Sequence, residues 1–178
     1  MKVEVMNEAG YTEALHGLSL SYSIDYFRAV DVANKLASQE GGHNKFLESI
    51  CIWIDITAPR YWWQQFDTYR VGMTKQSESS MHNFSKRTIT AEDFEDPLSP
   101  AYLEDLNAAI RAKDFGYFKN HLPEGFLQRR IICTNYKTLR NIIRQRLTHR
   151  LPQWQTFIQE VYRQCKHHQF LDDLIPNP

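Results

Sequence analysis

The segment from Ala58 to Asn83, APRYWWQQFDTYRVGMTKQSESSMHN, restricts the fold more than any other stretch of this chain. Trp62, Trp63, Phe66 and Tyr69 recur at helical spacing, so four large rings must be buried along one stripe. Pro59 suits the first turn of that helix, where a missing N–H costs nothing. Gly72 ends it, because glycine accepts the left-handed cap conformation. The next segment, Lys75-Gln76-Ser77-Glu78-Ser79-Ser80, is too polar to be core. It presents hydroxyls, a carboxylate and backbone N–H groups just past the Arg70 guanidinium, which together form a cradle for a phosphate-bearing ligand. An aromatic core helix and then a solvated loop is the plainer reading of the same spacing.

The rest of the chain supplies a core for that helix. Lys2–Met6 alternates as a short strand, and Ser23 or Asp25 caps a helix carrying Tyr26, Phe27, Val30, Ala33 and Ala37. Ile50–Ile56 reads as a strand with Ile50, Ile52, Ile54 and Ile56 on one face and Cys51, Trp53 and Asp55 on the other. A second strand is expected over Phe84–Thr90. Ser99-Pro100 opens a helix through Arg111 with Tyr102, Leu103, Leu106 and Ile110 inward. A short helix over Leu122–Gln128 and a strand over Arg130–Thr134 come next. Tyr136–His149 is a helix with Leu139, Ile142, Ile143 and Leu147 inward, and Pro152 starts a last one packed by Trp154, Phe157, Ile158, Val161, Tyr162 and Cys165. The tail after His168, 170–178 above all, is expected to be loosely held. The class is α+β: a helix-rich single domain over 1–178 with a small antiparallel sheet.

Charge and motifs exclude several functions. Net charge is zero, yet Thr88–Ile110 holds no Lys or Arg, and Gly125–Gln159 holds no Asp or Glu but does hold Arg129, Arg130, Lys137, Arg140, Arg144, Arg146 and Arg150. A basic segment in a neutral chain points to a local anion site and leaves a nucleic-acid-binding module on helix 136–149 the weakest reading. Cys51, Cys133 and Cys165 lie far apart without a C-x-x-C, which fits a reducing, cytoplasmic compartment, as does an N-terminus without a signal-peptide pattern. No apolar run reaches the length of a membrane span. The sequence holds no P-loop and no G-x-G-x-x-G. His167-His168 has no spacing for a metal site, so no metal is expected. Cys51 has no neighbouring base and reads as a small core residue.

The run from Gly42 to Gly72, GHNKFLESICIWIDITAPRYWWQQFDTYRVG, resembles the flavin-dependent thymidylate synthases. Their pattern, G-H-x-T-P-F-E-H, an apolar strand, A-P, a helix with Q-W-F, then R-H-R-x-G, lies on this sequence without a gap. His43, Glu48, Ala58-Pro59, Gln65 and Arg70 coincide with it. Ser77-Glu78-Ser79-Ser80 matches the family's N-E-x-S-x-R loop if a small insertion is allowed. A second block, Asn135 to Arg146, resembles N-x-R-x-L-x-N-F-x-x-L-R, with Asn135, Leu139, Asn141 and Arg146 coinciding and Lys137 in place of an Arg. Upstream, Leu122-Pro123 and Arg129-Arg130 are similar to L-P-x-x-x-A-R. The chain departs from the family where R-H-R becomes Thr68-Tyr69-Arg70, where Ser49 replaces a His, and where the later loop Arg falls on His82.

The resemblance implies an α+β subunit working as a homotetramer with shared sites. It implies FAD reduced by NADPH, and a one-carbon unit carried from methylenetetrahydrofolate to C5 of a pyrimidine nucleotide, dUMP becoming dTMP. No protein cysteine attacks the pyrimidine in such a reaction. By resemblance Gln65, Glu78, Ser80, Arg129, Arg130 and Arg146 surround the nucleotide, with Arg146 also the catalytic candidate. Tyr69, Arg70, Asn135, Lys137 and Asn141 hold the flavin, Tyr69 by stacking on a ring. The alternative is a catalytically degenerate nucleotide-binding or sequestering protein on the same fold.

Overall fold

Isoleucine alternation builds the centre of the sheet. In the computed structural model, which describes residues 1–39, 41–84 and 87–175, four strands are ordered β1-β2-β4-β3: β1 Lys2–Ala9, β2 Cys51–Pro59, β3 Thr74–Ser77 and β4 Leu127–Asn135. The sheet is small and antiparallel. Tyr136 N–H donates to the Ile50 carbonyl (3.1 Å) and Arg60 N–H to the Phe126 carbonyl (3.0 Å), the same offset at both ends of the β2–β4 pair. An unbroken register keeps the side-chain phase, so Ile50, Ile52, Ile54, Ile56 and Ile132 are fully buried while Cys51 and Trp53 are half-exposed. The helices are α1 Tyr11–Tyr22, α2 Tyr26–Leu36, α3 Arg60–Phe66, α4 Ser80–Phe84, α5 Pro100–Arg111, α6 Phe115–His121, α7 Tyr136–Arg146 and α8 Pro152–Gln164. None of them is long and apolar enough to cross a membrane.

The chain resolves into two compact units. One takes Met1–Lys2, Ile56–Thr68 and Gln76–Arg130, and the other takes Val3–Asp55, Tyr69–Lys75 and the chain from Ile131 onward. In the first unit α3 begins at Pro59, which is the cap residue, and the orphan N–H groups of Arg60 and Tyr61 donate to the carbonyls of Phe126 and Glu124. That use of the backbone is why Leu122–Gln128, expected as a helix, is instead a turn leading into β4. Helix α6, which the sequence pattern did not reveal, stands just before it, capped by Asp114. Residues 87–90 form no strand either, and 85–86 of that expected strand lie outside the described residues. Asn107, buried on α5, accepts from Ile89 N–H (2.9 Å) and donates to its carbonyl (3.0 Å), so a side chain takes the place of a ladder partner. Phe84, Ile89, Phe94, Leu106, Ile110, Phe118, Leu122 and Phe126 close the core of this unit. Tyr102, expected inward, is 36% exposed because its hydroxyl reaches out to the His121 carbonyl.

In the second unit α1 is the unexpected helix. Gly10 precedes it at φ +91°, and a Cβ there would stand 2.1 Å from the Ser49 carbonyl oxygen, so only glycine lets the two backbones meet. Helix α2 is capped by Asp25, α7 by Asn135, and α8 starts with Pro152, as the sequence indicates. Helix α7 ends at Arg146 and leaves Leu147 half-buried. The tail is firmly held over its described part. Phe170 and Leu171 are fully buried, and Arg140, itself buried, donates to the Phe170 carbonyl and pairs with Asp173. Residues 176–178 of that tail lie outside the described residues.

Candidate functional site

In the first unit the polar loop docks on β4 through reciprocal bonds. Glu78 N–H donates to the Arg129 carbonyl (3.0 Å), Arg129 N–H donates to Glu78 Oε1 (2.9 Å), and Asn83 Nδ2 donates to Glu78 Oε2 (3.1 Å). This loop is therefore no free solvated segment: it runs from β3 to α4, and Ser80 opens α4. Glu78, Ser80 and Arg129, three residues expected around a nucleotide, line one cavity of about 300 Å³ with Asn83, Arg87 and Asp93, over a floor of Phe84 and Phe126. Arg87 forms a bidentate pair with Asp93 (2.8 and 2.6 Å). Burial alone would raise the Asp93 carboxyl, but the Arg87 bonds and the Thr90 N–H outweigh it and hold it below the usual carboxylate range. The Arg87–Asp93 pair is thus internally neutral and stiffens the wall. Glu78 brings an acceptor and Ser80 a donor to the cavity.

Arg130 and Gln65 belong to the same unit but do not line that cavity. Arg130 lies over the Trp63 ring (4.5 Å to its centre), pairs with both Asp67 oxygens at 3.0 Å and donates to Gln128 Oε1 (2.8 Å). Trp63 Nε1 donates to the Gln128 carbonyl (2.8 Å), so a half-buried Arg130 covers the buried Trp63 ring in an aromatic–polar stack. Gln65 is half-buried on α3, and its carbonyl accepts from the Thr68 hydroxyl (2.8 Å).

The second unit holds the residues expected at a flavin. Tyr69 is only 8% exposed; its hydroxyl accepts from Arg146 Nε (2.8 Å) and donates to Gln145 Oε1 (3.2 Å). Arg146 lies against both Tyr69 (5.4 Å) and Trp154 (4.8 Å), so ring and guanidinium are packed on each other. His149 accepts from Leu151 N–H at Nδ1; burial, then the charges of Arg146 and Arg150, hold it below the usual imidazole value. Arg70 is exposed. Gly72, at φ +67°, presses against the start of α7, and a Cβ there would stand 2.6 Å from Thr138 Oγ1 and 2.9 Å from Asn135 Nδ2. Gly72 therefore does not end α3, which stops at Phe66; it sits in a turn pressed on the start of α7, where its carbonyl accepts from the Thr134 hydroxyl (2.9 Å). Asn135 is the α7 cap, accepting from Thr138 N–H (2.9 Å), and Asn141 accepts from Gln145 Nε2 (3.0 Å). Lys137 pairs with Glu48 (2.6 Å), and Glu48 lines a cavity of this unit, about 550 Å³, with Glu13, Ser21, Tyr22, His43 and Lys45.

Outside these regions, Cys133, Cys165 and His167 are shaped by burial and packing. Burial and the neighbouring Cys51 raise Cys133, and burial pushes Cys165 up to about 12. His167 is stacked on Tyr11 (3.9 Å, 7° between planes). Among the described residues no group of three His, Cys, Asp or Glu is placed to hold a metal. Sequence reasoning missed Asn83, Arg87 and Lys119, which borders the first cavity through Ser80. Asn83 lies on α4, just past the polar loop, where the same polar composition could have found it; Lys119 depends on recognising α6.

No protein-family model and no curated protein matches the sequence. The fold does match solved structures. Flavin-dependent thymidylate synthase ThyX from Helicobacter pylori, complexed with FAD and dUMP, aligns with a TM-score of 0.82 at 13% identity, covering 99% of this chain and 100% of that one. A second structure of Helicobacter pylori ThyX with FAD and dUMP gives the same TM-score and identity, covering 98% and 99%. The chain therefore has the fold of a flavin-dependent thymidylate synthase over nearly its whole length.

Proposed function

We propose that this chain, acting as one domain over 1–178, is a divergent flavin-dependent thymidylate synthase-like enzyme that binds a pyrimidine nucleotide such as dUMP in the cavity of its first unit. One observation carries the reading: Glu78, Ser80 and Arg129 line a single polar cavity, on a fold whose similar structures were solved with FAD and dUMP. The Glu78 side chain brings acceptor oxygens, so it suits a sugar hydroxyl or a base N–H. The Ser80 hydroxyl and the Arg129 guanidinium suit a phosphate. Arg130 serves this site indirectly, by fixing β4 against Trp63 and Asp67. Gln65 remains a candidate contact on α3.

Part of the residue set fits a flavin cofactor and part does not. Arg70, Lys137 and Asn141 present polar side chains, and Asn135 adds the first turn of α7, which together suit the phosphates and polar edges of a dinucleotide. Tyr69 does not fit a stacking role, because its ring is packed under Arg146. Bound FAD, reduced by NADPH, would supply the electrons and relay the one-carbon unit from methylenetetrahydrofolate. The protein's share is to bind, orient and exclude water, with Arg146 as a positioning residue for Tyr69. Thiols held up by burial fit a reaction in which no cysteine attacks the base. A homotetramer in the cytoplasm belongs to this reading.

A nucleotide-binding protein without turnover is the second reading, favoured by the internal use of Tyr69, Arg130 and Arg146. The deciding experiment incubates the protein with dUMP, FAD, NADPH and methylenetetrahydrofolate and quantifies dTMP by chromatography, with FAD fluorescence followed in parallel. Formation of dTMP supports the enzyme. Bound dUMP with neither dTMP nor flavin quenching supports the binding protein, and absence of dUMP binding removes both.

A further inference from the structure

Lys119 on α6 is a cation short of a counter-charge. Its Nζ donates to Ser80 Oγ, on the wall of the first unit's cavity. Among the described residues no carboxylate pairs with it, whereas Lys137 has Glu48 at 2.6 Å and Arg60 has Glu124 at 3.4 Å. Burial, and then the like charge of Arg60, push the Lys119 ammonium below the usual lysine value. Lys119 is an exposed residue, and its ammonium, set beside another cation, is stabilised by any anion that joins it.

Ser80 sharpens the chemistry. A hydroxyl that accepts from an ammonium still has its own proton to donate. Ser80 Oγ–H and Lys119 Nζ–H therefore form a two-donor edge, matched by a tetrahedral phosphomonoester. Asp93, already neutralised by Arg87, does not compete for Lys119, and Glu78 is held by Asn83 and the Arg129 N–H. Glu92, the other carboxylate on the cavity lining, is exposed and makes no ion pair with Lys119, so the edge is open to an anion from outside the chain.

We propose that Lys119, with Ser80 as co-donor, is a second phosphate-binding cation of the nucleotide cavity, beside Arg129. The inference rests on the nucleotide reading for the identity of the phosphate's carrier, though not for the anion site itself.

The test is isothermal titration of dUMP, deoxyuridine and inorganic phosphate into the full chain and into Lys119→Gln and Lys119→Arg, with thermal melts to confirm folding. Lys119→Gln is expected to weaken dUMP by about 10- to 100-fold and to leave deoxyuridine unchanged, while Lys119→Arg keeps most of the affinity. If the wild type binds dUMP and Lys119→Gln binds it equally, or loses deoxyuridine in the same proportion, the Lys119 assignment is overturned and the nucleotide reading stands. If phosphate binds in a Lys119-dependent way but dUMP does not, the anion site stands and the nucleotide reading falls. If the wild type binds none of the three, both fall.

Discussion

Arg146→Ala separates a ligand-facing arginine from one that holds the fold. In the structure its Nε donates to the Tyr69 hydroxyl at 2.8 Å, and its guanidinium lies 4.8 Å from the Trp154 ring centre and 5.4 Å from that of Tyr69. A hydrogen bond from a charged group contributes about 1.5–3 kcal/mol, and each partly desolvated cation–π contact about 0.5–1 kcal/mol. These terms are not additive, and Tyr69 keeps Gln145 as a partner, which lowers the sum. The expected loss is about 2–3 kcal/mol, which for a chain of this size lowers Tm by about 4–12 °C. Differential scanning calorimetry with urea unfolding measures it, and dUMP titration at a temperature where the variant is folded measures the second property. The folded fraction should bind dUMP normally. A variant with unchanged Tm and lost dUMP affinity would show that Arg146 faces the ligand and that its packing on Tyr69 contributes little.

The same structure gives three further expected outcomes. Gly72→Ala combines a left-handed backbone with contacts of 2.6 and 2.9 Å to Thr138 and Asn135, so it should cost about 1–3 kcal/mol in urea unfolding; a neutral result would mean the turn is not pressed on α7. Trp63→Phe removes the donor to the Gln128 carbonyl and should destabilise by about 1–3 kcal/mol, and Arg130→Ala combined with it should show clear non-additivity in a double-mutant cycle, since Arg130 stacks on that ring. Burial holds His167 below the usual imidazole value, although Glu8 at 4.0 Å partly offsets it. Its contribution is then present above the unfolded value of about 6.5 and is lost as pH falls through the lower folded value. The urea midpoint should drop between about pH 7.5 and 5, and His167→Phe should flatten that drop; an identical slope in the variant contradicts the assignment.

The sequence revealed those parts of the fold that a local period or a cap can encode. Ile50, Ile52, Ile54 and Ile56 alternate, and all four are fully buried. Asp25, Ser99 and Asn135 cap helices where their side chains can reach the backbone, and each does so. Helix α1 escaped because Gly17 interrupts it and Leu20, on its outer face, is 81% exposed, blurring the apolar stripe. Helix α6 is short, and of its three aromatic side chains only Phe118 is buried, Phe115 being half-buried and Tyr117 exposed. The absent strand near Ile89 depended on Asn107, eighteen positions away, which no local pattern announces. The same limit applies to the candidate site. Glu78, Ser80 and Arg129 were legible as a motif, and they converge. Whether an arginine faces a ligand or an aromatic ring depends on partners distant in sequence, as Arg130 with Asp67 and Arg146 with Tyr69 illustrate.

The most direct measurement is a crystal structure of the full chain grown with saturating dUMP. The account predicts density in the first unit's cavity, with the phosphate against Ser80, Arg129 and Lys119 and a sugar hydroxyl or base N–H on Glu78. Nucleotide density elsewhere, with that cavity holding only solvent, would contradict it.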